Sequence, residues 1–586
     1  MIALKLSAKR FGRSPFEEAP SLKALNANRR DFLRQAGLTV AGAFGVPDWM
    51  GNSRADRAGL GRQHPSPALG ASPIRGLMVD AGRLPEKLDY YRRVIDFCAE
   101  WGCNTLQFRL ADDQGSALRF ASAPGLITHR NAFTPEQLRD LAGYGERRGV
   151  NLLPEIESFG HTGYITRSPA YAHLLDGRPD GSSDFTGLCP VNPGTLELMT
   201  RLYGEVASIF PSIYLHGGCD EVNWGASDLS RQALRSRSRA QIWADYLNAL
   251  NRIAADRQKE LIVWGDYVLH KLPQVLALLD RQIVIMDWDY ATNDAVPLRR
   301  SLDRVREHGA RAIGAPAISC YRWGPRVGSE QLRNIDAYVN AYSDANDSAS
   351  LGVIVTNWVP SRYVQNSIWD SFAYAAIALK EGTATAQTSG FRRFVEKHYQ
   401  TDWNELWREV FESLYNAAPY WPGASTASWE GVPLAVPWSN DAELLALLAS
   451  GAPSQNPFTR LASLLVRIEP AVLANLSDFR AFALSIQYLE RLYWRQTVLL
   501  KQAGRPALNR ERAALLIQAI AARDRSLAQA LADAWRVGRF MDSSAALEPL
   551  FSLRPKDQML FQWNQATHYS ASLAHSPDRF YALLKG

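Results

Sequence analysis

The sequence predicts an α/β fold, a (β/α)8 TIM barrel over residues 73–400, followed by an all-α helical domain over residues 401–586. Three observations predict it. Short β-branched or apolar runs alternate with longer helical patterns eight times after residue 73. Polar and aromatic groups fall just past the ends of those runs, the face where barrels of this kind keep their sites. Beyond Trp403 the alternation stops, and apolar residues recur only at three- and four-residue spacing, as at Leu484, Tyr488 and Leu492.

In chain order, strands are expected near 74–80, 104–110, 151–156, 212–217, 261–266, 282–288, 312–318 and 352–358. Between them lie helical patterns such as Leu88–Trp101, Glu136–Arg148, Leu196–Phe210, Ala240–Gln258 and Gln331–Tyr342. The second half offers helices at Ala442–Leu448, Arg460–Ile468, Phe479–Lys501, Arg510–Val537 and Lys556–Ala574. A chain of 586 residues, 46% hydrophobic and 21% charged, suits two domains with ample core. No apolar run reaches the roughly 18 residues a membrane span needs.

The net charge of +6 is local. Residues 1–34 hold eight basic and three acidic residues, so the rest of the chain is nearly neutral and no nucleic-acid partner is expected. Asn28-Arg29-Arg30-Asp31-Phe32-Leu33-Arg34 precedes a short, weakly apolar run from Ala36 to Val46. Residues 1–46 thus resemble a twin-arginine export signal, and 47–72, rich in Gly, Pro and Ser, read as a linker. A periplasmic or secreted bacterial protein is expected, with no membrane contact beyond that signal. Five cysteines, Cys98, Cys103, Cys189, Cys219 and Cys320, make no disulfide framework or zinc spacing.

The most informative stretch is Tyr214-Leu215-His216-Gly217-Gly218-Cys219-Asp220-Glu221-Val222. Successive side chains of a strand point to opposite faces, so adjacent carboxylates share a pocket only past the strand end. Two glycines put Asp220 and Glu221 there. Such a pair suits acid–base work on a glycosidic bond.

His216-Gly217-Gly218-Cys219-Asp220-Glu221 resembles the His-x-Gly-Gly-Asp-Glu signature of family 20 glycoside hydrolases, the β-N-acetylhexosaminidases, with Cys219 in place of one glycine. Arg75–Asp80, Asn104–Gly115 and Pro154–His161 resemble the family's first three strands, in order. The resemblance implies a retaining exo-β-N-acetylhexosaminidase using substrate-assisted catalysis, in which the sugar's own acetamido oxygen attacks the anomeric carbon. It needs no cofactor and no metal, and its partner is an amino-sugar glycan.

By the same resemblance, Glu221 is the general acid and then base, and Asp220 accepts the acetamido N–H. Glu221 is expected to carry a proton and Asp220 a charge. His161, with Asp112 or Asp113, orients the acid. Tyr321 matches the tyrosine that donates to the acetamido oxygen, though a packing role suits it equally. Arg75 matches an arginine that clamps sugar hydroxyls, Glu157 stands where the family has aspartate, and Trp264, Trp288 and Trp358 wall the pocket.

Trp323 and Pro360 replace two rim carboxylates and Ser116 a tryptophan, which leaves sugar identity open. Arg322, Arg326 and Arg362 near that rim suggest an anionic group on the substrate. Two rival readings are a carbohydrate-binding barrel without turnover, and a retaining glycosidase with Glu157 or Asp220 as nucleophile. Oligomeric state is not legible.

Overall fold

Eight parallel strands close into a barrel in chain order: β1 (Ile74–Asp80), β2 (Thr105–Arg109), β3 (Asn151–Glu155), β4 (Tyr214–His216), β5 (Glu260–Trp264), β6 (Val284–Asp287), β7 (Arg311–Gly314) and β8 (Ser350–Asn357). β8 pairs back onto β1, Ile74 beside Gly352 and Leu77 beside Val355, which leaves no open edge. The computed structural model describes residues 73–177, 187–319, 328–344, 346–416, 437–450, 456–503, 505–541 and 558–585. The export signal and linker expected over residues 1–72 lie outside them.

Each strand falls where the apolar runs predict it. Alternation does the sorting: Met78 of β1 points inward to meet Leu153, Ile262, Val284, Ile313 and Ile354, while Leu77 and Val79 face the helical ring. The ring helices start and stop on local signals. Thr134 with Gln137, and Ser238 with Gln241, form capping boxes at the starts of Pro135–Glu146 and Arg239–Ala255. Gly102, at φ 90°, ends Leu88–Trp101.

Three features depart from the expected pattern. A three-stranded sheet (Ala111–Asp112, Gly115–Leu118, Thr128–Phe133) grows out of the end of β2 and carries Asp112 and Asp113 at its tip. A wide π-type turn, Asp266–Lys271, follows β5. The seventh strand is interrupted: Pro316 has no N–H for a ladder, so pairing lapses after Gly314 and resumes with Ala317–Ser319 against the end of β8.

Helices Glu405–Asn416, Asp441–Ser450, Phe458–Ile468, Leu476–Ala503, Arg510–Gly538, Met559–His575 and Pro577–Lys585 make up the helical half. Phe479, Leu492, Trp535 and Trp563 share one buried cluster with Leu77, Tyr91 and Trp369 of the barrel. Among the described residues two arginine–carboxylate pairs cross the junction, Arg93 to Asp478 at 2.6 Å and Arg539 to Glu86 at 3.0 Å, and His398 Nε2 also lies 3.0 Å from Asp478. No described helix is long and apolar enough to cross a membrane.

Candidate active site

Register decides what meets at the barrel mouth. Asp80, Arg109, Glu155 and His216 occupy one row across β1, β2, β3 and β4, each at its strand's C-terminal end. Arg109 is wholly buried and meets four carboxylates: Asp80 Oδ1 at 3.1 Å, Glu155 Oε1 at 3.3 Å, Glu157 Oε1 at 2.7 Å and Asp112 Oδ2 at 2.8 Å. The planar guanidinium fork suits that arrangement. Arg83 adds a second cation, 2.9 Å from Asp80 and 3.1 Å from Asp112.

These charges set the carboxyls apart. Burial would raise Asp112, but Arg83 and Arg109 outweigh it and hold that carboxyl far below the usual range. Burial dominates at Glu155, pushed up to about 7, and at Glu157, raised further by the charge of Asp220.

Beyond β4 the backbone coils through left-handed positions. Gly218 sits at φ 66°, and a Cβ there would lie 1.9 Å from Glu157 Oε2, so only glycine fits. Cys219 at φ 79° and Glu221 at φ 46° take the same region at a steric cost that glycine would avoid. Two hydrogen bonds hold the coil: Cys219 N–H donates to Glu157 Oε2 (3.2 Å) and Glu221 N–H to Asp266 Oδ2 (3.1 Å). Lys271, on the π-type turn, pins Asp266 at 2.8 Å.

The coil brings Asp220 and Glu221 to one histidine. His161, after β3 and itself at φ 50°, places Nε2 3.2 Å from Glu221 Oε2 and 3.7 Å from Asp220 Oδ2. Its Nδ1 lies 3.2 Å from Asp113 Oδ2, and Gly163 N–H donates to the other Asp113 oxygen at 2.9 Å. The Glu221 side chain is 41% exposed and faces the mouth, whereas that of Asp220 is 10% exposed.

Burial lowers the proton affinity of His161, but Asp220, Asp113 and Glu221 outweigh it and raise the imidazole well above its ordinary value. Burial would raise Glu221, yet the bond and charge of His161 prevail and hold it at about 2. Asp220 is pushed up to about 6 by burial, His161 opposing and Asp266 and Glu221 adding. These shifts favour His161 over Glu221 as holder of the resting proton, the reverse of the expectation from the sequence. Moving that proton along the Nε2–Oε2 bond turns Glu221 into an acid and leaves His161 neutral.

The other expected groups divide into four sets. Trp358 donates from Nε1 to Tyr290 Oη at 2.8 Å, and the guanidinium carbons of Arg83 and Arg109 each lie 5.2 Å from its ring. Trp288 stacks on Tyr290 at 5.0 Å, while Trp264, 1% exposed, donates to Glu155 Oε1 and belongs to the floor of the barrel mouth rather than its wall.

Asp112, Asp113 and Glu157 are buried and bonded, so they support the pocket instead of lining it. Arg75 is the clear correction. Near the start of β1, it donates from Nε to Gly102 O at 3.0 Å, at the end of the barrel opposite Asp220 and Glu221. Tyr321, with Arg322, Trp323 and Arg326, lies outside the described residues. Arg362 is buried, not on an exposed rim, and Ser116 bonds Leu118 O.

The residues missed are Arg83, Arg109, Lys271 and Tyr290, whereas Asp266 stands at the end of the fifth strand run, where the sequence places candidate groups. Asp80-x-x-Arg83, a charge pair at a strand end, could have revealed the first. Arg109, a lone cation in an apolar strand, could have revealed the second. Two sets, Asp112 with Asp113 and His161, and His161 with Asp220 and Glu221, bring ligand-type atoms within 4.8 Å of one another. The guanidiniums on Asp112 disfavour a cation at the first.

Residues 73–358 match the model described as glycosyl hydrolase family 20, catalytic domain. That match runs from the start of β1 through Trp358, and the helical half lies beyond it. A β-hexosaminidase from Vibrio furnissii is 30% identical over 178 residues, covering 25% of this chain and 28% of that protein. β-Hexosaminidase 3 from Arabidopsis thaliana is 25% identical over 350 residues, 54% of this chain and 60% of that one. An exo-β-N-acetylglucosaminidase structure from Vibrio harveyi, in complex with N-acetylglucosamine, is 20% identical over 54% of each chain, with a TM-score of 0.41. The chain thus spans between 28% and 60% of the length of such curated relatives.

Proposed function

We propose that the protein is a retaining exo-β-N-acetylhexosaminidase, hydrolysing terminal 2-acetamido-2-deoxy-β-hexosides by substrate-assisted catalysis. One observation carries the reading: Asp220 and Glu221, adjacent in sequence, converge on one histidine with ligand-type oxygens within 4.8 Å of each other at the mouth of a family 20 domain. Carboxylates that close face the same part of a substrate. Inverting enzymes need a wider gap, about 6.5–9.5 Å, to seat a water between their carboxyl groups.

The groups then divide the work. The acetamido oxygen attacks the anomeric carbon as the glycosidic bond breaks. Glu221 delivers to the leaving oxygen the proton it takes from His161. Asp220, ionised, accepts the acetamido N–H and offsets the positive charge of the forming oxazolinium ring. Glu221, now a carboxylate, removes a proton from the water that opens that ring, with net retention. Trp358 and Trp288 offer apolar faces for the sugar and keep bulk water out.

Glu157 is a poor nucleophile here, since it is fully buried and bonded to Arg109 and Cys219 N–H. A panel of aryl glycosides with and without the 2-acetamido group tests the reading. Release of chromophore only from the acetamido sugars, blocked by a thiazoline mimic of the cyclised intermediate, is the expected result. Turnover of plain glucosides, or a trapped covalent glycosyl-enzyme, would overturn it. The Arg29-Arg30 segment supports export as a further proposal; cell fractionation after replacing both by lysine tests that.

A further inference from the structure

The helical half touches the barrel at a place that matters for the mouth. The loop after β1 carries Arg83 and Glu86, and the loop after β8 carries Trp358 and Pro360. Inside, Asp80 already joins them, bonded to Arg83 at 2.9 Å and accepting Val359 N–H at 3.2 Å. Val359 is held at φ 51°, a strained conformation for a β-branched residue, so this turn depends on its surroundings.

The outside of both loops is gripped by one residue. Arg539, 1% exposed and just past the helix Arg510–Gly538, donates from Nη2 to Glu86 Oε1 (3.0 Å) and to Pro360 O (2.6 Å), and from Nη1 to Tyr363 O (2.8 Å). Next to it, Gly538 O accepts from Lys87 N–H and from Gln365 Nε2, each at 3.2 Å. A Cβ on Gly538 would lie 1.4 Å from Gln365 Oε1, so the approach leaves no slack.

We infer that the helical half is a working part of the site, and that Arg539 is a positioning residue clamping the loops that present Arg83 and Trp358. The inference rests on the glycosidase reading, because that reading sets Trp358 against the sugar, while Arg83 acts through Asp80 and Asp112, which it pairs. Five donors in a fixed plane let one guanidinium bridge a carboxylate and two carbonyls at spacings that the compact ammonium of lysine does not match. Loss of the clamp frees the two loops to shift independently, and a misplacement of about 1 Å can cost up to about a hundredfold in rate.

The test compares Arg539→Met and Arg539→Lys with Arg93→Met, which breaks the other junction pair, to Asp478, away from the mouth. Thermal unfolding is followed with kcat and KM on an aryl 2-acetamido-β-glucoside well below the unfolding temperature. Both Arg539 variants should lose kcat/KM, Met by at least about tenfold and Lys by less, with the limbs of the pH profile in place. Arg93→Met should lower the unfolding temperature and leave kcat/KM unchanged.

Folded Arg539→Met with wild-type kcat/KM overturns the inference, as does an equal loss in Arg93→Met. If Arg539→Met does not fold, Arg539→Lys decides by the same criterion. Wild-type protein without turnover would instead overturn the parent reading. The clamp is then read from calorimetric binding of N-acetylglucosamine, where an unchanged Kd in the Arg539 variants overturns it and a weakened Kd supports it.

Discussion

His161 holds Glu221 and Asp113 at opposite nitrogens of one imidazole, 3.2 Å from each. In the proposed mechanism the proton for the leaving group is stored between these two carboxylates and need not be drawn from solvent. Storage of this kind separates two demands. The acid must be charged with a proton near neutral pH, and its neighbour Asp220 must be without one.

The pH–rate profile should show both demands. Asp220 is pushed up to about 6, so kcat/KM should fall as pH drops through about 6 and the acetamido N–H loses its acceptor. His161 is raised well above its ordinary value, so the alkaline limb should lie above neutrality, where the stored proton is lost. Asp220→Asn should be slow and should lack the acid limb. A wild-type profile flat from pH 5 to 7 would show that Asp220 does not titrate there.

Substrates with different leaving groups should separate Glu221 from Asp220. A good leaving group departs without a proton, so Glu221→Gln and His161→Asn should lose about 100-fold or more on an alkyl glycoside and far less on a dinitrophenyl glycoside. Asp220→Asn should lose similarly on both, because ring closure needs its charge whatever departs. Equal sensitivity of Glu221→Gln to both substrates would remove the acid role.

The coil after β4 invites a paired test of sterics. Gly218 and Cys219 both have left-handed backbone, but only Gly218 faces Glu157 Oε2 at a distance no Cβ tolerates. Gly218→Ala should cost more than about 3 kcal/mol, or abolish folding of the mouth. Cys219→Ala keeps a Cβ already accommodated and should stay within about 1 kcal/mol. Urea unfolding of the two proteins decides, and equal losses would contradict the close approach.

Much of this was legible in the sequence because it is periodic or local. The eight strand runs are short apolar stretches set between helical patterns, and the carboxylate pair sits beside its glycines. What was hidden depends on register and on backbone shape. Arg109 is one cation in an apolar strand until its two neighbouring strands align their ends beside it. Arg75 and Arg83 lie eight residues apart on one strand and its exit loop, and motif similarity alone favoured the one at the closed end. The bias of the proton toward His161 was hidden for a related reason. Sequence shows which acids are adjacent, but only geometry shows that His161 sits closer to Glu221 than to Asp220.

Glu155 offers a stability prediction with a definite sign. Its carboxyl has an ordinary value of 4.5 and is pushed up to about 7 in the folded protein, chiefly by burial against the pull of Arg109. The folded state therefore keeps a proton that the unfolded chain releases. That contribution is complete below about 4.5 and is lost as pH rises through about 7. Glu155→Gln cannot titrate, and its oxygen can still accept from Trp264 Nε1. Its new amide N–H would face the amide nitrogen of Gln107, but Gln107 Oε1 is buried without a partner, so a flip of that amide supplies an acceptor. The variant should be less stable than wild type at pH 5, and the gap should close or reverse by pH 8. Urea unfolding at pH 5, 6, 7 and 8 measures it. Parallel curves would mean that Glu155 stays ionised throughout, held by Arg109 more firmly than burial opposes.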